Sequence, residues 1–438
     1  MKLDDFTYQD LSIFSNQEEF SVFHKLDFTT TQGGRDYLYT IFRKPLSSIE
    51  EIIETQNAIG IFIENSIHIH QTITNGTIVV MEKFLDYQMD PMPISNDRIN
   101  AWLYRILHAA DFSMAKFSLT HFHEFVIGMH ELAELLNKND VPKNISLYTD
   151  RINKLLANRD IQKFINKKRA ASFNITEIVH FSRFFHVDFK KKIEELISIY
   201  SRLDAWMSMA KAMTKFQLHF PEFVQKKSPI FETEGLSHLL LPEAVAYDIK
   251  MDPESNFIFL TGANMAGKST FIKAIGLSCF LAHIGMGVPA KKLRISLFEG
   301  IITNINVSDN IIKGESYFFN EVKRIKDTIK KINGGSTWMV LIDELFKGTN
   351  IQDAMKCSLT VIQGLIKMQN GLFILSTHLY EIADQLKEFK NISFKYFETI
   401  IEDHQLQFKY HLKTGVSNDR IGYLILQKEG VVDMLNSL

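Results

Sequence analysis

Hydrophobic and polar residues follow different patterns in the two halves of the chain. Between residues 96 and 225, apolar positions recur with helical spacing, which predicts a series of amphipathic helices. The predicted helices are Asp97 to Phe117, Leu119 to Asn137, Ile145 to Lys168, Ile175 to Phe185 and Phe189 to Phe216. Upstream, Ser48 and Glu51 offer a capping box that opens a helix over Ile49 to Ile63. The pattern predicts a mainly α domain over residues 1–228.

Past residue 228 the pattern changes to short, uninterrupted apolar runs, which are typical of buried parallel strands. Three such runs are Phe257 to Leu260, Trp338 to Ile342 and Leu372 to Thr377. Phe271 to Ala282, after the first run, has helical spacing and no proline. The pattern predicts an α/β domain over residues 229–438.

Composition narrows the class of protein. The chain has 438 residues, of which 45% are hydrophobic, enough for a sizeable core in two or three domains. A net charge of −2 excludes a general electrostatic attraction to nucleic acid, so any DNA contact must be local. Cys279 and Cys357 provide no disulfide framework or metal spacing. Neither a secretory signal pattern nor an apolar run of membrane-spanning length is present, so we expect a cytoplasmic protein without a membrane segment.

The first apolar run of the α/β half leads directly into a glycine-rich loop, Thr261 to Thr270, with the order strand, loop, helix. Its spacing fits a phosphate loop, in which glycines let backbone N–H groups surround the phosphates. Lys268 would then meet the β and γ oxygens, and Ser269 would reach Mg²⁺. A glycine turn between core elements is the alternative. We therefore predict that the loop binds nucleotide, with these loop residues: Gly262, Asn264, Met265, Gly267, Lys268, Ser269 and Thr270.

The second and third apolar runs end in residues suited to phosphate chemistry. Asp343 and Glu344 follow the second run, where Asp343 would hold Mg²⁺ and Glu344 would act as a general base or orient the attacking water. His378 follows the third run and could sense the γ-phosphate. A strand that merely ends in solvated acids, and a structural histidine, are the alternatives.

These blocks resemble, in order, the ATPase domain of the MutS family of DNA mismatch repair proteins. The similarity includes Asn264 and Met265 in the loop, which a generic phosphate loop does not require. It continues through further blocks: Leu281 to Gly285, Val288 to Ala290, Ser308-Asp309, Gly314 to Glu321, Asp343 to Asn350 with Asp353, and Ser376 to His378. Residues 1 to about 70 resemble the start of the MutS core domain. The resemblance implies a helical lever domain joined to an ABC-type P-loop ATPase domain, with ATP and Mg²⁺ as ligands.

The resemblance also implies a homodimer with composite sites. Ser316 opens a predicted helix, Tyr317 to Lys331, whose start faces the γ-phosphate bound by the opposite subunit in this family. The core-like block begins almost at Met1, so we expect the mismatch-recognition domain to be missing and the DNA-gripping clamp to be missing or vestigial. The implied partners are branched or duplex DNA and other repair proteins. An ATP-switched scaffold that binds proteins and little DNA is the alternative function, whereas an SMC-like ATPase lacks the heptads it would need.

Some residues depart from the family pattern or allow a second interpretation. The family usually has Pro where this chain has Ala263 and Arg where it has Asn304. It usually has Thr in place of Tyr317 and Arg in place of Lys347. His121, His123 and His130 could suggest a metal site, but no Cys or carboxylate set completes it. Several cations could touch a DNA backbone, although a solvated helix face is the simpler interpretation. They are Lys163, Lys167, Lys168, Arg169 and Lys190 to Lys192.

Overall fold

The computed structural model describes residues 1–65, 72–94, 97–137, 141–167, 172–225, 228–305, 317–402, 405–417 and 430–436. Contacts divide the chain into a helical unit and an α/β unit. The helical unit contains Leu26–Arg43 and Ile53–Lys215, and the α/β unit contains Met1–Lys25, Lys44–Ile52 and Phe216–Leu438. The predicted pairing of a mainly α part with an α/β part is confirmed. By contacts, however, the α/β unit takes in two N-terminal segments, whereas the sequence predicted one boundary near residue 228.

The helices are numbered here in chain order. They are α1 (Asp5–Asp10), α2 (Val22–Leu26), α3 (Gln32–Arg43), α4 (Ile49–Glu64), α5 (Asn75–Asp86), α6 (Arg98–Leu107), α7 (Ala109–Leu136), α8 (Lys143–Leu156), α9 (Arg159–Ile165), α10 (Ile175–Arg183), α11 (Lys190–Phe216), α12 (Lys268–His283), α13 (Tyr317–Ile332), α14 (Ile351–Leu365), α15 (Ala383–Leu386) and α16 (Val431–Asn436). Short 3₁₀ turns cover Glu18–Phe20 and Tyr380–Ile382, and a π-helical turn, Phe184–Asp188, follows α10. Among the described residues, none of these helices combines the length and apolar character needed to cross a bilayer.

Two helix boundaries in the helical unit differ from those predicted. The expected break between Phe117 and Leu119 is wrong, because α7 continues through a fully buried Ser118. The break lies instead at His108, whose Nδ1 is 2.7 Å from Oδ2 of Asp90. The segment predicted as one helix from residue 145 to 168 divides at Asn158, whose side chain accepts backbone N–H bonds and caps α9.

The core of the helical unit is rich in phenylalanine. Phe122 stacks on Phe185 with ring centroids 4.5 Å apart, and Phe164 stacks on Phe173 at 5.2 Å. On α11, the fully buried Asp204 accepts bonds from the backbone N–H groups and hydroxyls of Thr30 and Thr31, at 2.7 to 3.1 Å. This carboxylate therefore fixes the turn before α3 against α11.

The strands of the α/β unit form two sheets. The strands are β1 (Glu222–Val224), β2 (Phe231–Leu236), β3 (Tyr247–Met251), β4 (Phe257–Thr261), β5 (Lys292–Ser296), β6 (Gly300–Asn304), β7 (Trp338–Asp343), β8 (Gly371–Ser376), β9 (Ile392–Glu402) and β10 (Gln405–Thr414). One sheet has the order β1-β5-β2-β3, and the other has the order β10-β9-β4-β8-β7-β6. In the larger sheet all pairs are parallel except β10 with β9.

Both faces of the larger sheet are covered, which explains why its central strands are apolar throughout. Residues of β4, β7 and β8 that point to one face pack in a common core with α13 and α14. On the other face lies α12, where a Cβ added at Gly276 would be 2.6 Å from Leu341 of β7. The sheet order brings the carboxyl ends of β4, β8 and β7 side by side, which is where open α/β sheets bind ligands.

His283, at the end of α12, is a fully buried structural residue. Its Nε2 accepts the backbone N–H of Phe298 at 2.9 Å, so Nδ1 carries the proton and donates to the Cys279 carbonyl at 2.7 Å. Burial lowers the pKa of His283 to about 4. The ring is therefore neutral in the folded protein at neutral pH.

Candidate functional site

The loop between β4 and α12 has the backbone shape that its glycines predict. Gly262 and Gly267 have φ values of +136° and +102°, and Met265, between them, is left-handed with φ of +67°. At Gly262 an added Cβ would lie 3.1 Å from the backbone oxygen of Phe397 on β9. Only glycine meets both the backbone angle and the close approach at this position.

Lys268 is the first residue of α12, and its side chain lies inside the loop. Only 5% of this lysine is exposed. Its Nζ donates to the backbone oxygens of Gly262 and Ala263 at 2.7 and 2.9 Å. Burial lowers the pKa of Lys268, while the carboxylates of Glu344 and Asp343 act in the opposite direction. The loop therefore surrounds a cation whose charge is offset by backbone dipoles and by two nearby acids.

Asp343, at the end of β7, joins the phosphate loop to the neighbouring strand. One of its carboxylate oxygens accepts the Ser269 hydroxyl, and the other accepts the Ser376 hydroxyl. The register explains the second contact, since Asp343 is paired with Ser376 across β7 and β8. A serine hydroxyl and a carboxylate are oxygen donors of the kind that Mg²⁺ prefers.

Glu344 follows Asp343 and has a left-handed φ of +63°. Its carboxylate lies 2.5 Å from Nε2 of His378 and 2.9 Å from Nζ of Lys347. Burial pushes the pKa of Glu344 upward, but the hydrogen bonds from His378 and Lys347 outweigh it and hold the pKa at about 2. The side chain is thus a carboxylate at neutral pH.

A buried acid on α13 supports the loop that follows Glu344. Oε1 of Glu321 accepts the backbone N–H groups of Phe346 and Lys347 at 3.0 and 3.4 Å. Phe346 also has a left-handed φ, of +61°. Burial raises the pKa of Glu321 despite these bonds. Sequence reasoning assigned no role to this residue, because its partners lie 25 residues away along the chain.

A cavity of about 640 Å³ lies beside the phosphate loop. On the loop side it is lined by predicted nucleotide-binding residues: Asn264, Met265, Gly267, Lys268, Ser269 and Thr270. The opposite wall comes from residues that the sequence did not indicate, including His238, Val245, Tyr247 and Tyr410. Burial, with Lys273 and Lys25 nearby, lowers the pKa of His238 to about 4. These residues form no recognisable motif, because Tyr410 lies far along the chain from the stretch that holds His238, Val245 and Tyr247.

The structure thus brings most of the predicted site residues together at one edge of the sheet. Ser269 contacts Asp343, Glu344 contacts His378, and Lys268 lies next to Ser269, but the chemical roles of these residues stay predictions. Ser316, Ser308-Asp309 and Gly314-Glu315 lie outside the described residues. Asn304, where the family usually has Arg, is buried at the end of β6, and its Nδ2 has no hydrogen-bond partner within the described structure.

Several candidate residues of the helical unit have local partners, whereas Lys168 and Arg169 lie outside the described residues. Nε2 of His123 is 2.9 Å from the Lys167 carbonyl, and His121 and His130 lie near acids on their own helix. Of the lysines considered for DNA contact, Lys163 pairs with Asp160 at 2.9 Å and Lys167 with Glu177 at 2.6 Å. Pairing reduces the charge that these two lysines offer to a phosphate.

Comparison with known proteins identifies the part of the chain that carries this site. Residues 258–434 match the family model described as MutS domain V. The chain is 28% identical to the DNA mismatch repair protein MutS of Petrotoga mobilis over 242 residues, 55% of this chain and 29% of the relative. For MutS of Thermotoga maritima the identity is 28% over 282 residues, 63% of this chain and 35% of the relative. For the DNA mismatch repair protein MSH3 of Candida glabrata it is 31% over 214 residues, 47% of this chain and 20% of the relative.

The matched region thus spans only about a third of each MutS relative. Domain V is the ATPase domain of the family, and it includes the phosphate loop, Asp343, Glu344 and His378. Over residues 258–434 the chain is therefore similar to domain V of the MutS family.

Proposed function

We propose that the chain hydrolyses ATP by phosphoryl transfer to water. The observation that carries this proposal is the link from Ser269 through Asp343 to Ser376, directly beside the buried Lys268. It joins a phosphate loop to an acidic strand end, the two halves that a nucleotide site requires. The proposed fold of this unit is an ABC-type P-loop ATPase.

The residues of the loop fit the triphosphate of ATP. Glycines at Gly262 and Gly267 leave backbone N–H groups uncovered by side chains, and Lys268 brings a cation that phosphate oxygens would attract away from the loop carbonyls. Ser269 and Asp343 would hold Mg²⁺, which neutralises charge on the phosphates when bound. The large cavity beyond Met265 leaves room for the nucleoside.

Glu344 and His378 would act at the γ-phosphate. Lys347 and His378 hold the Glu344 carboxylate, and Glu344 lines the same cavity as Lys268. In the proposed reaction Glu344 orients and activates the attacking water. His378, already in contact with Glu344, would report whether the γ-phosphate is present.

We further propose that the active form is a homodimer. Ser316 of one subunit would complete the site of the other, with the start of α13 directed at the γ-phosphate. ATP-driven closure would move the helical units as levers around branched or duplex DNA. The relatives' names, which describe DNA mismatch repair, support this function and suggest other repair proteins as partners.

An ATP-switched scaffold that binds proteins is the second candidate function. The exposed apolar face of α6 in the helical unit, formed by Ile99, Trp102, Ile106 and Leu107, favours it. The two candidates differ in salt dependence, because DNA binding releases counterions as Lys and Arg neutralise phosphates, whereas a protein interface need not.

The test is the ATPase rate with no DNA and with homoduplex, mismatched or four-way-junction DNA, at low and moderate salt. Lys268→Ala should abolish nucleotide binding or turnover, while Lys292→Ala, an exposed lysine on β5, should not change either. Unchanged hydrolysis in Lys268→Ala would remove the phosphate-loop assignment. Salt-sensitive stimulation by one DNA form supports the DNA function, and a rate indifferent to every DNA favours the scaffold.

A further inference from the structure

Helix α6 of the helical unit turns its apolar side to solvent. Ile99, Trp102, Ile106 and Leu107 are 73%, 54%, 53% and 72% exposed, and Leu103 is also exposed. Their spacing is that of one continuous helix face, which we call the α6 stripe. Only Ala101 and Tyr104, on the opposite face, are buried. An amphipathic helix normally buries its apolar face, so this arrangement marks an interaction surface.

The surroundings of the α6 stripe are cationic. Arg98 and Arg105 lie on α6 itself, and Lys116 of α7 lines the same cleft. Among the described residues, no carboxylate lies within ion-pair distance of these three cations, and α6 contains no acidic residue. Lys163 and Lys167, in contrast, are already paired. The stripe therefore lies beside three cations without an ion-pair partner among the described residues, although Asp97 caps the start of α6.

The α6 stripe borders a cleft of about 840 Å³ between α6, α7 and the start of α10. Trp102 lies on one side, and the floor and far wall include the apolar residues Phe112, Phe173 and Ile178. Arg105 stands 5.7 Å from the ring centre of Phe112, so its guanidinium is held near the cleft. The lining contains no acidic residue. The surface therefore offers an apolar groove with a cationic rim.

This combination selects one class of occupant. A second copy of the chain, pairing α6 against α6 in either direction, would bring arginine toward arginine across a desolvated contact, where like charges repel. A nucleic acid would satisfy the cations but would leave the aliphatic residues Ile99, Ile106 and Leu107 without apolar cover. An amphipathic helix with apolar residues on one face and carboxylates beside them satisfies both. We propose that the α6 stripe and its cleft bind an acidic amphipathic helix of a partner protein.

The test uses the full chain and a fluorescein-labelled helical peptide of about 18 residues, long enough for about five turns. The peptide carries leucines with i, i+3, i+4, i+7 spacing and glutamates on either side. A second peptide has lysine in place of every glutamate, and a third has the acidic composition in shuffled order. Fluorescence anisotropy should show binding of the acidic amphipathic peptide, with both others weaker by at least about tenfold.

Variants then locate the binding. Trp102→Ala should weaken the acidic peptide by about tenfold or more, because aromatic side chains at the centre of a groove carry much of the affinity. The double variant Arg98→Glu with Arg105→Glu should no longer bind the acidic peptide and should bind the lysine peptide instead. Leu147→Ala, at an equally exposed leucine on α8, is the matched control and should change neither. Far-UV circular dichroism establishes that each variant is folded.

Three results would overturn the proposal. The first is that the chain binds the acidic and lysine peptides with equal affinity, or that the Arg98→Glu, Arg105→Glu variant still binds the acidic peptide as tightly as the wild type. The second is that single-stranded DNA binds the chain more tightly than the acidic peptide does, and that Trp102→Ala weakens this DNA binding. That result would make the surface a nucleic-acid site. The third is that analytical sedimentation shows concentration-dependent self-association of the chain, and that Trp102→Ala removes it. None of these measurements depends on ATP turnover, so the proposed ATPase function can fail or hold independently.

Discussion

Replacing Glu344 with glutamine is the sharpest test of the proposed chemistry. The amide keeps the size of the side chain but can neither take a proton nor hold the charge that faces His378 and Lys347. A positioned acid–base group contributes about 10² to 10⁴ in rate, which corresponds to about 3 to 5 kcal/mol of activation free energy. ATP should therefore still bind Glu344→Gln, while turnover falls by two to four orders of magnitude (~10² to 10⁴).

The structure also gives the size of the effect on folding, which must be separated from the effect on chemistry. A pKa of about 2 in place of 4.5 means that the surroundings favour the charged form by about 3 kcal/mol. The variant loses part of this interaction energy. Because solvent already screens some of the interaction, the loss is smaller than the full value. Urea unfolding should therefore show a destabilisation below about 3 kcal/mol, with the fold retained.

The assay combines phosphate release at saturating ATP with binding of a fluorescent ATP analogue. Lys347→Ala is the matched control, since it removes one partner of Glu344 but leaves the carboxylate, and its rate should fall far less. A Glu344→Gln rate within a factor of about three of the wild type would refute the assignment, because a positioned acid–base group typically contributes about 10² or more. If the variant stays monomeric with saturating ATP, the role of Ser316 in the opposite subunit is wrong.

Three further predictions concern the loop and the two cores. Gly262→Ala should weaken nucleotide binding, because alanine at φ of +136° is strained and its Cβ would press on the Phe397 backbone. Equilibrium titration with nucleotide measures the affinity, and an unchanged affinity would contradict this prediction. Asp204→Ala should destabilise the helical unit by at least about 1 to 3 kcal/mol in urea unfolding, because the N–H groups and hydroxyls of Thr30 and Thr31 lose a buried acceptor. His283 is neutral in the fold with a pKa of about 4, below the 6.5 of an unfolded chain, so the unfolded state binds more protons between these values. Stability should consequently fall by up to about 3 kcal/mol as the pH is lowered from about 6.5 to 4, and the slope should be smaller in His283→Asn.

The sequence alone determined the features that depend on near neighbours in the chain. The phosphate loop follows from glycine spacing, since left-handed backbone angles are a local requirement. The strands β4, β7 and β8 follow from apolar runs, because both faces of the sheet are buried. The start of α4 follows from Ser48, whose hydroxyl accepts the Glu51 N–H at 3.2 Å.

Tertiary structure decided everything that depends on which segments meet. The order of the strands makes Ser376 a partner of Asp343, and a distant helix supplies Glu321 to the loop beyond it. Tyr410 reaches the cavity from β10, a strand that the sequence reasoning did not predict. The same holds for α6, since its apolar pattern predicts a helix but cannot say whether its face is covered. Hydrophobic spacing records that a face is apolar, whereas the neighbour that buries it, or leaves it open, is fixed only by packing of distant segments.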